Sequence, residues 1–386
     1  MTAKRKRRGR FAAAALAALL ALCLCAQAAA EKVITLTFTG DCVIGSEERS
    51  HRQEDSFDNA VKKHGYDYFF ANFKDLFGTD DCTVINLQGV LADTNSGAVS
   101  SRSSRYRGQE EYVRILQAGS VEAVSLCNNH AMDYSGRGLT NTQRVLEEAG
   151  IGWTRERDFW IFEKDGIRIA FVSIDYGAYQ RSGTEIRAAL QEMQKNHEIS
   201  ATVFLVHEGR EFLPVHQSKQ EQYGEYAVEQ AGAELVVMHQ AHVMQGIRIL
   251  DNRCIFYSLG NFVYGGDSMV RKGKDCDTLY TMAVQTRLYF TEGGTYKGQQ
   301  TVLYPAYSSG TDPQNNYRPR RLTAEEAEAV MAAVQADTDF ELPAIRTDEN
   351  GLAYVLMDFL ADETPETENT GGGPEAAAPR PNRNNR

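Results

Sequence analysis

Six separated clusters in this 386-residue chain hold side chains able to do chemistry. They are Asp41, Gln88, Asn128-Asn129-His130, His207, His239 with His242, and Asn261. Carboxylate, imidazole and amide oxygen are the donors that hold divalent metals. Two cations about 3.5–4 Å apart need a bridging carboxylate besides such ligands, and that pair generates hydroxide and clamps a tetrahedral group. A lone histidine at a strand end carries little weight. The repeated pattern of apolar run followed by ligand-type residue carries more.

The elements that must position these residues follow from that pattern. Val33–Phe38, Cys82–Leu87, Val124–Cys127, Thr202–Val206, Leu235–Met238 and Ile255–Ser258 are short apolar runs, and each stops at one of the clusters. Runs apolar throughout need cover on both faces, which predicts a layered α/β domain with its site at the strand ends. Helices are expected near Phe69–Phe77, and over Glu110–Ala118, Thr140–Ala149, Glu185–His197, Gln220–Gln230 and Ala324–Asp337. Lys164-Asp165-Gly166 predicts a tight hairpin between Trp160–Phe162 and Ile167–Ile174. There is no internal repeat, P-loop, Rossmann glycine fingerprint or HExxH.

Residues 1–30 stand apart. Lys4 to Arg10 hold six basic residues, Phe11–Cys25 is apolar, and Ala26-Gln27-Ala28 forms a cleavage-type signal. This reads as a signal peptide or an N-terminal anchor, which places the remainder outside the cytoplasm, secreted or membrane-anchored at the cell surface. Its loss removes six positive charges and takes the formal charge from −11 to −17. So acidic a body does not attract nucleic acid or another polyanion through its overall field, which argues against nucleic acid as a partner and requires a local basic patch or a metal for any anionic ligand. The five cysteines beyond it are irregularly spaced and do not form a disulfide framework; Cys42 and Cys127 read as small buried hydrophobes. The main domain is expected over residues 33–290, with an extension packed on it over 291–360. Residues 362–386 are Glu/Thr/Gly/Pro/Asn-rich and read as a disordered tail.

Thr39-Gly40-Asp41, Ile85-Asn86-Leu87-Gln88-Gly89, Asn128-Asn129-His130-Ala131-Met132-Asp133-Tyr134, His207-Glu208-Gly209 and Tyr257-Ser258-Leu259-Gly260-Asn261-Phe262 occur in this order. Together they resemble the CapA family of poly-γ-glutamate capsule synthesis proteins, within the calcineurin-like metallophosphoesterase superfamily. The resemblance implies a four-layer αββα sandwich. It implies Asp41, Asn129, His207 and His242 as ligands of divalent Mn, Fe or Zn, and His130 as the acid that protonates a leaving group.

Two positions depart from the family pattern. Gln88 stands where the family has glutamate, and Gln240 where it has a ligand histidine; neither amide neutralises two dications. His239, Glu208, Glu211 and Asp133 are the residues that could rescue the site. Arg102, Arg105 and Arg107 form a local basic loop able to grip carboxylates or phosphates. The expected partner is a polyanionic polymer such as poly-γ-glutamate, or other capsule-synthesis components. Two readings follow: a polymer-binding or scaffold protein impaired in dinuclear metal binding, or an active metal-dependent hydrolase of a phosphoester or γ-glutamyl-type bond.

Overall fold

The computed structural model describes residues 31–267, 269 and 277–358. The leader, Cys276 and the tail lie outside the described residues. The strand Lys32–Val43 lies at the centre of a ten-stranded sheet. Cys82–Leu87, Ala123–Ser125 and Gly152–Thr154 follow it in parallel on one side. On the other side Tyr280–Phe290 runs antiparallel to it, and Tyr296–Tyr307 and Ala353–Met357 follow outward. Residue 290 thus ends one arm of a hairpin whose other arm belongs to the same sheet.

A second sheet of six strands has a parallel centre of Ile167–Asp175, Ala201–His207, Leu235–His239 and Arg253–Phe256. Side-chain alternation along these strands builds the layers. Leu36 and Phe38 face Phe171, Val203 and Leu205 across the sandwich in one shared core. The Phe38 and Phe171 rings lie 6.4 Å apart. The opposite face of the first sheet packs on Val61, Ile115, Leu116, Val145 and Leu146 from three helices. On the outer face of the second sheet, Phe204 and Val206 meet Ile186, Leu190 and Tyr226. The fold is a four-layer αββα sandwich.

The hairpin holds as expected: Asp165 and Gly166 both take positive φ, 52° and 74°, as a two-residue turn of this kind requires. Several helices begin earlier than apolar periodicity suggests. The helix of Tyr176–Lys195 starts well before Glu185 because Asp175 caps it, its carboxylate accepting from the Ala178 amide at 2.7 Å. Weak helix formers (Gly177, Ser182, Gly183) mask that first half. The helix Ser135–Glu148 likewise includes Gly136 and Gly138. Near Phe69–Phe77 only short turns and Lys74–Phe77 are helical, while Phe57–His64 forms a capped helix in a stretch that reads as irregular. Ala324–Gln335 is a helix with a Thr323–Glu326 capping box. Cys42, Cys82, Cys127 and Cys254 are free and buried.

Candidate functional site

The carboxyl ends of the two parallel centres meet at one rim. Tyr280–Phe290 leaves the central strand after Thr39, and Asn261–Tyr264 takes over beside it, so Asp41 is paired with Asn86 on one side and Asn261 on the other. Gly40 permits this exchange. A Cβ there would lie 2.3 Å from the Gly260 carbonyl oxygen, which itself accepts the Asp41 amide at 2.9 Å. From the second sheet His207 and His239 arrive as neighbours. The loop after His239 then turns back through Gln240 and His242, both at positive φ.

Asp41 is fully buried. Its Oδ1 accepts from Asn86 Nδ2 at 2.6 Å, and its Oδ2 from the Gln240 backbone amide at 3.2 Å. His242 Nδ1 lies 3.2 Å from the same Oδ2 and 2.8 Å from Asn261 Oδ1, so this nitrogen carries a proton. Burial alone would raise the Asp41 pKa. The hydrogen bond and charge of His242 overcome it and hold the carboxyl well below the usual range. Burial would lower His242, and Asp41 reverses that, raising it. The two form a buried ion pair, and removing either partner of such a pair typically costs about 3–5 kcal/mol.

A relay of amides fixes the rest. The Asn128 side chain is oriented by two backbone groups: its Nδ2 donates to the Leu87 carbonyl at 2.8 Å, and its Oδ1 accepts the His130 amide at 3.1 Å. Asn128 Nδ2 therefore also donates to Asn86 Oδ1, at 3.1 Å. Asn86 is left presenting its NH2 group to Asp41 and, at 3.2 Å, to His207 Nδ1. Burial pushes His207 down to about 3, so its ring is neutral. With Nδ1 accepting, Nε2 carries the hydrogen and donates to Asn129 Oδ1 at 3.0 Å.

His130 is held from behind. Its Nδ1 donates to Asp133 Oδ2 at 2.8 Å, an oxygen that also accepts the Tyr106 amide at 2.8 Å. Arg102 Nε pairs with Asp133 Oδ1 at 3.3 Å, an ion pair without hydrogen-bond alignment. The Tyr106 ring packs 4.2 Å from the His130 ring, and the Tyr264 ring 5.3 Å from that of His242. The two tyrosine hydroxyls meet at 3.4 Å.

Above these groups opens a cavity of about 390 Å³, lined by Arg102, Tyr106, Asn129, His130, Glu211, His242, Asn261 and Tyr264 among others. Asp41 and His207 lie beneath it. Six residues singled out in the sequence are placed elsewhere or face away. Gln88 lies past the strand end, buried, with neither amide atom hydrogen-bonded; the position beside Asp41 belongs to Asn86. Gln240 serves Asp41 through its backbone and turns its side chain toward Glu211 at 3.5 Å. His239 gives its Nε2 to the Thr39 carbonyl at 3.0 Å, and Glu208 pairs with Lys219 at 3.4 Å. Arg105 bonds the Val99 and Arg102 carbonyls. Arg107 bonds the Ala92 carbonyl and lines a different pocket with Asp93, Gln109 and Glu111. Of the three arginines of the basic loop, only Arg102 lines the cavity. Asn86, Tyr106 and Tyr264 are the site residues that sequence reasoning missed. Asn86 lies on the strand Cys82–Leu87, and that strand position was the available signal.

A bridged pair of cations requires lone pairs between Asp41 and His207, and this structure puts N–H groups of Asn86 there. Among the described residues no three His, Cys, Asp or Glu side chains converge closely enough to hold a metal. The donor set as arranged does not fit a dinuclear centre.

Two curated proteins are similar. Capsule biosynthesis protein CapA of Bacillus anthracis is 24% identical over 257 residues, which is 60% of each chain. PGA biosynthesis protein CapA of Bacillus subtilis (strain 168) is 23% identical over 256 residues, 61% of this chain and 64% of the relative. The chain thus spans less than two thirds of the length of either. Calcineurin-like phosphoesterase YfkN of Bacillus subtilis aligns with a TM-score of 0.43 at 12% identity, over 80% of this chain and 98% of that one. The 5'-nucleotidase precursor of Thermus thermophilus aligns with a TM-score of 0.42 at 12% identity, over 79% and 59%. The family model for bacterial capsule synthesis protein PGA_cap matches residues 35–265, the stretch that builds the rim of the cleft. The chain belongs to that family of bacterial capsule synthesis proteins.

Proposed function

We propose that the protein is an exported component of capsule assembly, and that its cleft binds a polyanionic polymer of the poly-γ-glutamate type as a binding or scaffold element. Export rests on the basic and apolar leader; among the described residues no helix is long and apolar enough to cross a membrane. The capsule role rests on the family and on the names of the two CapA relatives. Impaired dinuclear metal binding rests on one observation: the Asn86 amide, oriented through Asn128, offers hydrogen atoms where a bridging ligand must offer an oxygen. Metal analysis of the full chain purified without chelators tests this. Less than one equivalent of metal is expected, and two equivalents of Mn, Fe or Zn would overturn it. Co-sedimentation with poly-γ-glutamate tests the partner, and its absence would overturn the binding role.

One observation favours hydrolysis of a phosphoester or γ-glutamyl-type bond instead. His130 is aimed by Asp133 and borders the cavity, the arrangement of a general acid or base. Metal-dependent turnover that is lost in His130→Ala would establish that reading.

A further inference from the structure

The cavity carries charges of both signs, and its cations are already balanced from below. Arg102 leans on buried Asp133 through Nε at 3.3 Å, while its two Nη atoms carry no partner among the described residues. His242 is paired with buried Asp41. Glu211 and Asp267 border the same cavity, and Glu211 is the more exposed of the two. Its one hydrogen-bond contact, Gln240 Nε2 at 3.5 Å, is too long to engage it firmly. A ligand bearing carboxylates alone would meet Arg102 and Glu211 together, gaining from one and repelled by the other. A cavity of about 390 Å³ lies within the size range of small-ligand sites.

We propose that the cleft takes a group bearing an α-ammonium and an α-carboxylate on one carbon, the carboxylate against Arg102 and the ammonium against Glu211. Such a group terminates a γ-linked glutamate polymer at its amino end, whereas interior residues carry only the carboxylate. This assignment rests on the polymer-binding reading and narrows it from a groove along the chain to a seat for its end. Asn129 and His130 border the same cavity and supply further polar contacts beside Arg102.

Titration calorimetry of the full chain with a γ-linked glutamate tetramer, and with its N-acetylated form, tests this. Acetylation removes the positive charge and is expected to weaken binding by roughly tenfold, the loss of one well-formed ionic contact. In Glu211→Gln the two forms should bind alike, at the strength of the acetylated one, because only the ammonium contact is gone. Glu211 is exposed, so this variant keeps its fold. Arg102→Gln should weaken both forms. Equal affinity of the two forms for the unaltered protein overturns the end-group assignment and leaves polymer binding standing. Binding of neither form overturns both.

Discussion

Asn86 Nδ2 lies 2.6 Å from Asp41 Oδ1, the shortest contact that Asp41 makes. An uncharged donor thus stands against a buried carboxylate of the site, and His242 pairs with the other oxygen of that carboxylate. Asp41 is thus hydrogen-bonded to Asn86 through one oxygen and paired with His242 through the other.

Changing Asn86 to Asp reverses this. Two carboxylates would then face each other in a buried site, and the variant should lose about 3 kcal/mol in chelator. Added Mn²⁺ should restore its thermal midpoint while leaving that of the parent unmoved. An equal Mn²⁺ response in the parent would contradict the metal-poor reading.

Asp133 holds three partners: His130, Arg102 and the Tyr106 amide. Asp133→Ala should cost about 3–5 kcal/mol in urea unfolding, since it strands a buried amide and a guanidinium. It should also free the His130 ring to reorient, which NMR of the imidazole would register as a change of tautomer.

The three arginines of the basic loop should separate cleanly. Arg102→Ala is expected to weaken polymer binding about tenfold. Arg105→Ala and Arg107→Ala should leave affinity within about twofold and cost about 1 kcal/mol of stability, because Arg105 bonds the Val99 and Arg102 carbonyls and Arg107 the Ala92 carbonyl, with Glu48 at 3.9 Å. Sedimentation and urea midpoints on the same samples would show both effects.

Glu234 gives the fold a pH dependence of known sign. Burial pushes its carboxyl up to about 7, against the opposing Thr202 amide and Arg253 charge. Its proton is held more tightly folded than unfolded, so the contribution is fully present below about 4.5 and is lost as pH rises through about 7. The loss amounts to about 3 kcal/mol. Glu122, pushed up to about 7 by burial, adds the same sign. Glu234→Gln should therefore flatten part of this fall, read from urea midpoints between about pH 4 and about pH 8.

The strand ends were legible because a buried parallel strand is a continuous apolar run, and its first polar residue marks the rim. That rule marked the clusters that hold Asp41, Asn129, His207 and His242, and the family resemblance singled out those four within them. It misplaced the neighbour of Asp41, since Gln88 looked like the first polar residue beyond the strand. Register decides otherwise: Asn86 is the residue paired with Asp41, and the chain turns away at Gly89 with φ 91°. The basic loop looked uniform because charge can be read from sequence and side-chain direction cannot. Tyr106 and Tyr264 are 158 residues apart, and only the sandwich brings their hydroxyls together.

The C-terminal strands have a consequence for how the molecule comes into being. Thr37 and Gln285 hydrogen-bond across 248 residues, through the pairing that covers one edge of the Asp41 strand. A nascent chain that has already made Asp41, Asn86, Asn129, His207 and His242 still has that edge bare. Contacts of such span form slowly, and open edges invite pairing with other chains. Every ligand-type residue is thus synthesised before the strand that locks them in register. A chain cut short before Tyr280 would contain the whole motif set and no cleft.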